Sequence, residues 1–310
     1  MAFSRLTSND PVFINTQQGI SDLADHANES NLLGDSHPLL YIDIEGEQLS
    51  RYGTISLLTV LVHGIDDARA IYVVDIHTLG NPAFCTPGRR GKTLKDTLES
   101  PDVLKVFFDV RNDSDALYAH YGIKLQGVRD LQLMENARRQ TTVGRRLVWG
   151  LAKCIEGVIP PYKKDEWKRC KETGERLWNP AREGSYSAFN RRPLSEEIMA
   201  YCVGDVQYLP DLYAEYIGYG CFFDGIYDGW FDLIAEGSQR RVAASQAAGY
   251  RPDGPDRAVS PWTLEQNRML DEWNATQPRS YRSTDDLDEY SWDDNDFEDW
   301  TRAPWQGPPS

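Results

Sequence analysis

Leu40-Tyr41-Ile42-Asp43-Ile44-Glu45-Gly46 is the stretch on which the reading of this chain turns. Apolar residues at 40, 42 and 44 alternate with Tyr41, Asp43 and Glu45, the two-residue period of a β-strand. Asp43 and Glu45 therefore project from one face. An unpaired carboxylate among apolar residues costs several kcal/mol or takes up a proton, so two side by side ask for a cation, against the plainer reading of a strand that simply runs out into solvent. The neighbouring runs Thr54–Val62 and Ala70–Ile76 are also strand-like, and with Leu39–Ile44 they are spaced closely enough for an antiparallel meander. Upstream, Pro11–Asn15 reads as a short strand, and Thr16 caps a helix through Ile20, Leu23 and Ala27. Downstream, Thr93–Leu98 reads as a helix, Val103–Val110 as a buried strand, Ser114–Tyr121 as a helix, Val128–Leu133 as a strand and Arg146–Ile155 as a helix. The pattern predicts an α/β domain with a mixed central sheet flanked by helices.

Two further acidic motifs sit on core elements. Asp109, Asp113 and Asp115 surround the junction between the Val103–Val110 strand and the next helix. Tyr201 and Asp205, four apart on a predicted helix running from Ser195 towards Tyr216, share one helical face. Between them the polar, basic and aromatic segment from Pro160 to Pro193 reads as a long loop with one short helix. An aromatic-rich helix is expected around Phe222–Ile234, continuing towards Ala247. From Arg251 onward Pro, Gly and Asp dominate and apolar periodicity fades, predicting linker and disordered tail. The expected organisation is a catalytic domain over 12–216, a helical extension over 217–250 and an acidic, Trp-containing tail over 251–310.

The 310 residues carry a formal charge of −15, which argues against holding nucleic acid by bulk electrostatics. Acid is concentrated at the end of the chain, from Asp285 to Asp299, whereas Arg138 to Arg192 is rich in base. That basic stretch, with Lys163, Lys164, Lys168 and Arg169, is the candidate phosphate-facing surface, against the plainer reading of a solvated helix face. Trp149, Trp167 and Trp178 in or beside it are candidate base-stacking groups, with packing the more ordinary role. No window is apolar enough for a membrane span and no leader is evident; the five scattered cysteines suit reduced thiols, so an intracellular, cytoplasmic or nuclear protein is expected. The five histidines show no metal-ligand spacing, and no phosphate-binding GxxxxGK[ST] occurs.

Leu40–Gly46 (LYIDIEG), Arg51–Leu58 (RYGTISLL), Ile71–Ile76 (IYVVDI), Val106–Leu117 (VFFDVRNDSDAL), Asp130–Leu133 (DLQL) and Arg192–Tyr208 (RPLSEEIMAYCVGDVQY) together resemble the successive landmarks of the DEDDy 3′→5′ exonuclease domain. Ribonuclease D and the Werner-syndrome exonuclease domain belong to this family, and the texture is similar to fungal exonuclease-domain proteins. The resemblance covers roughly residues 12–216 and implies a ribonuclease H-like fold. It makes Asp43, Glu45, Asp113 and Asp205 the metal-binding acids and Tyr201 the accompanying tyrosine. Asp113 is preferred over the nearby Asp109 and Asp115 because the Ser-Asp-Ala-Leu that follows it matches the family pattern. The implied cofactors are two Mg²⁺ or Mn²⁺ ions, and the implied substrate is a nucleic acid with a free 3′ end. A rival reading is a catalytically weak nucleic-acid-binding or adaptor protein that uses the same domain and docks a protein partner through its Trp-rich acidic tail.

Overall fold

The computed structural model describes residues 10–29, 40–64, 67–220 and 227–275. The chain opens with β1 (Val12–Ile14) and α1 (Gln17–Glu29), then enters β2 (Leu40–Glu45), β3 (Leu57–His63) and β4 (Arg69–Asp75). The single turns α2 (Ile76–Leu79) and α3 (Pro82–Cys85) and the longer α4 (Leu94–Glu99) lead to β5 (Lys105–Phe107), α5 (Arg111–Tyr121), β6 (Val128–Asp130) and α6 (Leu131–Ala137). The rest is helical: α7 (Leu151–Val158), α8 (Pro161–Trp178), α9 (Glu196–Val206), α10 (Leu209–Gly220), α11 (Tyr227–Gln246) and α12 (Leu264–Ala275).

The strands form one sheet in the order β1-β4-β3-β2-β5-β6. The predicted meander is present: β2 pairs antiparallel with β3 (Asp43 opposite Thr59, Glu45 opposite Leu57), and β3 antiparallel with β4. The remaining pairings, β1 with β4, β2 with β5 and β5 with β6, are parallel, so the sheet is mixed as expected. The period of two sorts β2 between two cores. Leu40, Ile42 and Ile44 pack with α1, α4 and α5, while Tyr41 packs on the opposite face with α6, α10 and α11. Asp43 and Glu45 point to that second face, at the end of the sheet where α9 crosses. Directly after them Gly46 lies so close to the returning chain that a Cβ there would sit 2.0 Å from the Thr54 carbonyl oxygen. The tight approach fixes where the β2 carboxylates end.

Four expectations are corrected. Residues 161–178 are not loop: α8 is a helix whose Pro161 sits in the first turn, where a missing N–H costs nothing. Trp167, Lys171, Gly174 and Trp178, at i, i+4, i+7 and i+11, fall on one face, which seats on α9. The Ser195 helix is two helices. Ser195 caps α9 by accepting from the Ile198 N–H at 3.3 Å, and Pro210, in the first turn of α10, marks the new start.

The third correction concerns residues 251–275, which are ordered and packed. Trp262 is buried and its indole N–H donates to the Asn136 Oδ1 at 2.8 Å; Leu270 is buried; Trp273 stacks on Trp230 with ring centroids 5.6 Å apart. Asn274 donates to the carbonyls of Ala137 and Arg139, at 3.1 and 2.7 Å. The Asn136, Ala137 and Arg139 contacts, made more than a hundred positions away, supply the order that local apolar periodicity does not. The α7 helix begins at Leu151 instead of Arg146, because Leu147 forms a bridge with Val259 of the same C-terminal segment. The acidic run 285–299 and Trp292, Trp300 and Trp305 lie outside the described residues, as does Phe222.

Candidate active site

The three acidic motifs meet at one cleft. Asp43 and Glu45 come from the end of β2, Asp113 from the first turn of α5, and Tyr201 and Asp205 from consecutive turns of α9. They line a cavity of about 340 Å³ together with Phe108, Asn112, Gln132, Lys171 and Arg257. Carboxylate oxygens of Asp43, Glu45 and Asp205 lie within 4.8 Å of one another.

The structure separates the three aspartates that the sequence left as alternatives. Asp115 is consumed by Arg51, which donates its backbone N–H at 2.7 Å and its Nε at 2.6 Å. Asp109, in the left-handed backbone region (φ 57°), is held by Arg111 at 2.5 and 2.8 Å and by Arg257 at 2.9 Å, with Arg241 at 3.6 Å. Burial opposes ionisation of Asp109, but these guanidiniums hold its carboxyl far below the usual carboxylate range. Asp113 has no cationic partner among the described residues, and its Oδ1 is buried without a hydrogen bond. Burial, then the charges of Asp43 and Asp109, push its carboxyl well above the ordinary value. Only Asp113 of the three faces the cleft needing a counter-charge.

The other acids show the same need. Asp43 is pushed up to about 7 by burial and by Asp205, against the pull of Lys171, and its Oδ2 is buried and unbonded. Burial, Asp43 and Asp205 raise Glu45 well above its usual range. Buried acceptor atoms without donors are what a hard divalent cation satisfies, so the residues present fit a Mg²⁺ or Mn²⁺ site. Tyr201 is 5% exposed, and burial followed by the Asp205 charge raises its hydroxyl far beyond neutral pH. Its ring rests against Trp178 and Phe189, with centroids 5.7 and 6.3 Å away.

Lys171 and Arg257 are site residues that sequence reasoning missed. The Nζ of Lys171 donates to both oxygens of Asp205, at 2.5 and 2.7 Å, and to the Tyr201 hydroxyl at 3.2 Å. Burial works against its charge, but Asp205 more than compensates and raises the ammonium above its ordinary value. The stripe Trp167/Lys171/Gly174/Trp178 was the signal available for it; for Arg257, on a segment read as linker, there was none.

Part of the basic stretch is structural: Arg139 pairs with Glu135, Arg145 is fully buried on Asp271 and Asn267, and Arg192 pairs with Asp75. Lys168 meets Glu156 at 2.8 Å on the exposed side of α8. Trp167 and Trp178 pack, and Trp149 lies under Arg139 and Lys153. Among the described residues Cys85, Cys154, Cys170 and Cys202 are free thiols, and no helix is long and apolar enough to cross a membrane.

The mixed six-stranded sheet flanked by helices resembles the fold of RNase D. The chain belongs to the 3′-5′ exonuclease family, which matches residues 11–215. It is similar in structure to a Trypanosoma brucei RNase D solved with RNA U12 (TM-score 0.63, 17% identity, covering 84% of this chain and 79% of that one). The RNase D–GMP complex from the same organism gives a TM-score of 0.62 at 18% identity, over 85% of this chain and 71% of that one. These likenesses bear on the fold. The piRNA biogenesis protein EXD1 of Mus musculus is 26% identical over 220 residues, 68% of this chain but 35% of that protein, so the chain spans about a third of that relative's length.

Proposed function

We propose that this protein is a divalent-metal-dependent exonuclease that hydrolyses RNA from a free 3′ end and releases 5′-nucleoside monophosphates. The observation carrying the reading is the selective lack of cationic partners at the cleft. Asp109 and Asp115, which flank Asp113 in the sequence, are neutralised by arginines, whereas Asp43, Glu45 and Asp113 are not. Carboxylates about 4 Å apart repel by roughly 4 kcal/mol at an effective dielectric of 20, a cost that makes sense at a site built to hold cations. RNA is favoured as substrate because the RNase D structures this fold resembles were solved with RNA U12 and with GMP.

Asp43, Glu45, Asp113 and Asp205 would hold up to two ions, which when bound activate water and offset charge on the leaving 3′ oxygen. The chain's own groups do the positioning. Tyr201, its hydroxyl kept protonated by burial and by Asp205, cannot act as the base at neutral pH, and orients an attacking water by hydrogen bonding. Asn112 and Gln132 place amides on the cleft wall, and Phe108 and Leu49 give it an apolar flank against which a terminal nucleotide packs. Incubation of the purified chain with 5′-labelled RNA and DNA oligonucleotides in Mg²⁺, Mn²⁺ or EDTA tests the proposal. Metal-dependent shortening from the 3′ end is expected; internal cuts, or no shortening with either ion, would count against it.

A further inference from the structure

Lys171 stands where the acids most need a positive charge. Both oxygens of Asp205 are occupied by its Nζ, and among the described residues it is the only basic side chain ion-paired to any of Asp43, Glu45, Asp113 and Asp205. Its position is fixed by the helix that carries it. Gly174, one turn further along α8, leaves so little room against α9 that a Cβ there would lie 2.5 Å from the Tyr201 Cβ, and the Trp167 indole donates to the Gly204 carbonyl at 3.3 Å. The ammonium is also 4.2 Å from the centroid of the Tyr201 ring, a cation–π contact that adds to its hold.

The same side chain separates two spaces. On one side is the carboxylate cleft; on the other is a cavity of about 260 Å³ lined by Lys163, Glu166, Trp167, Cys170, Gln207 and Tyr208, with Lys171 and Tyr201 bordering both. A lysine side chain has rotamers enough to cross between them. The second cavity offers it a carboxylate, Glu166, in place of Asp205.

Resting on the metal-dependent reading above, we propose that Lys171 is the resident cation of the metal-free site: it holds the place of one divalent ion on Asp205. The protein at rest then takes up one ion tightly, and a second only when Lys171 leaves Asp205 for the neighbouring cavity. The two occupants compete, because the Lys171 ammonium bridges both oxygens of Asp205 and a divalent ion on the same carboxylate would meet its positive charge at close range. The apparent affinity for the second ion is accordingly its intrinsic affinity multiplied by the fraction of molecules in which Lys171 has withdrawn. A lysine with this many partners keeps that fraction small, so second-ion binding is weakened at least about tenfold.

The test is Mn²⁺ titration of the EDTA-stripped full chain without substrate, followed by electron paramagnetic resonance of free Mn²⁺ and by calorimetry. Wild type should bind one ion tightly and a second at least tenfold more weakly. K171M and K171Q, two neutral replacements made in case one does not fold without metal, should bind the second at least tenfold more tightly than wild type does. K171R, which keeps a cation on Asp205, should retain the wild-type pattern. Two equally tight sites in wild type, or an unchanged second site in both neutral variants, overturns the proposal while leaving the metal-dependent reading intact. Absence of Mn²⁺ binding in wild type and variants alike overturns both.

Discussion

Replacing Asp43 by Asn keeps the side chain's shape and removes its charge. Its carboxyl is raised from 3.8 to about 7, by burial first and then by Asp205, with Lys171 and the Ile44 N–H opposing. A shift of about three units at ~1.4 kcal/mol each means that ionising Asp43 costs the folded protein about 4 kcal/mol, a ceiling because the cleft opens to solvent. The folded-state value lies above the unfolded one, so this contribution is fully present below about pH 4 and is lost as pH rises through about 7. In EDTA the Asp43→Asn protein should therefore melt close to wild type at pH 4 and above it at pH 8.5. With roughly 2–4 °C per kcal/mol, that ceiling corresponds to a gain at high pH of at most roughly 8–16 °C. Mn²⁺ should raise the melting temperature of wild type more than that of the variant, and nuclease activity should fall by more than the roughly 10–100-fold that loss of an outer-shell metal partner costs. Differential scanning fluorimetry across that pH range is the assay. A variant less stable than wild type at both pH values would refute the argument that the acids strain the metal-free site.

Tyr201→Phe should slow single-turnover hydrolysis by roughly 10²-fold while leaving the tighter Mn²⁺ site unchanged, since one orienting hydrogen bond goes and the acids stay; an unaltered rate removes Tyr201 from the mechanism. Reversing Lys163, Lys164, Lys168 and Arg169 to Glu should raise KM and flatten its salt dependence by roughly 0.7 in slope for each phosphate no longer neutralised, and an unchanged slope makes the exposed side of α8 a bland surface. Truncation after Tyr250 removes Arg257 from Asp109 and strips Asp271 and Asn267 from the buried Arg145, so it should cost about 3–5 kcal/mol or more in urea unfolding. Truncation after Ala275 should leave the unfolding midpoint unchanged; equal effects of the two cuts would mean that residues 251–275 add nothing to the fold.

How much was legible follows from how far each residue's partners lie along the chain. Asp43 and Glu45 could be placed from the strand period alone, because facing is a local property. The i, i+4 spacing of Tyr201 and Asp205 was equally local. The choice among Asp109, Asp113 and Asp115 was not: it depends on Arg51, Arg241 and Arg257, up to 148 positions away, and the family pattern had to stand in for that information. The α8 helix hid because Lys171 and Gly174 interrupt its buried stripe with a charge and a missing side chain, residues that read as solvent-facing or as breakers until the acids and Tyr201 are placed opposite them. In 251–275 the apolar anchors are single residues, Trp262, Leu270 and Trp273, whose order comes from α6 and α11 and not from any period of their own.

The most direct test of the central claim is the identity of the product. RNA labelled at its 3′-terminal nucleotide, incubated with the full chain and Mn²⁺, should release labelled 5′-nucleoside monophosphate, with no release in EDTA or from Asp205→Asn protein. Release that persists in EDTA or in Asp205→Asn, label appearing as a 3′-phosphate or in oligonucleotides, or no release at all would contradict it.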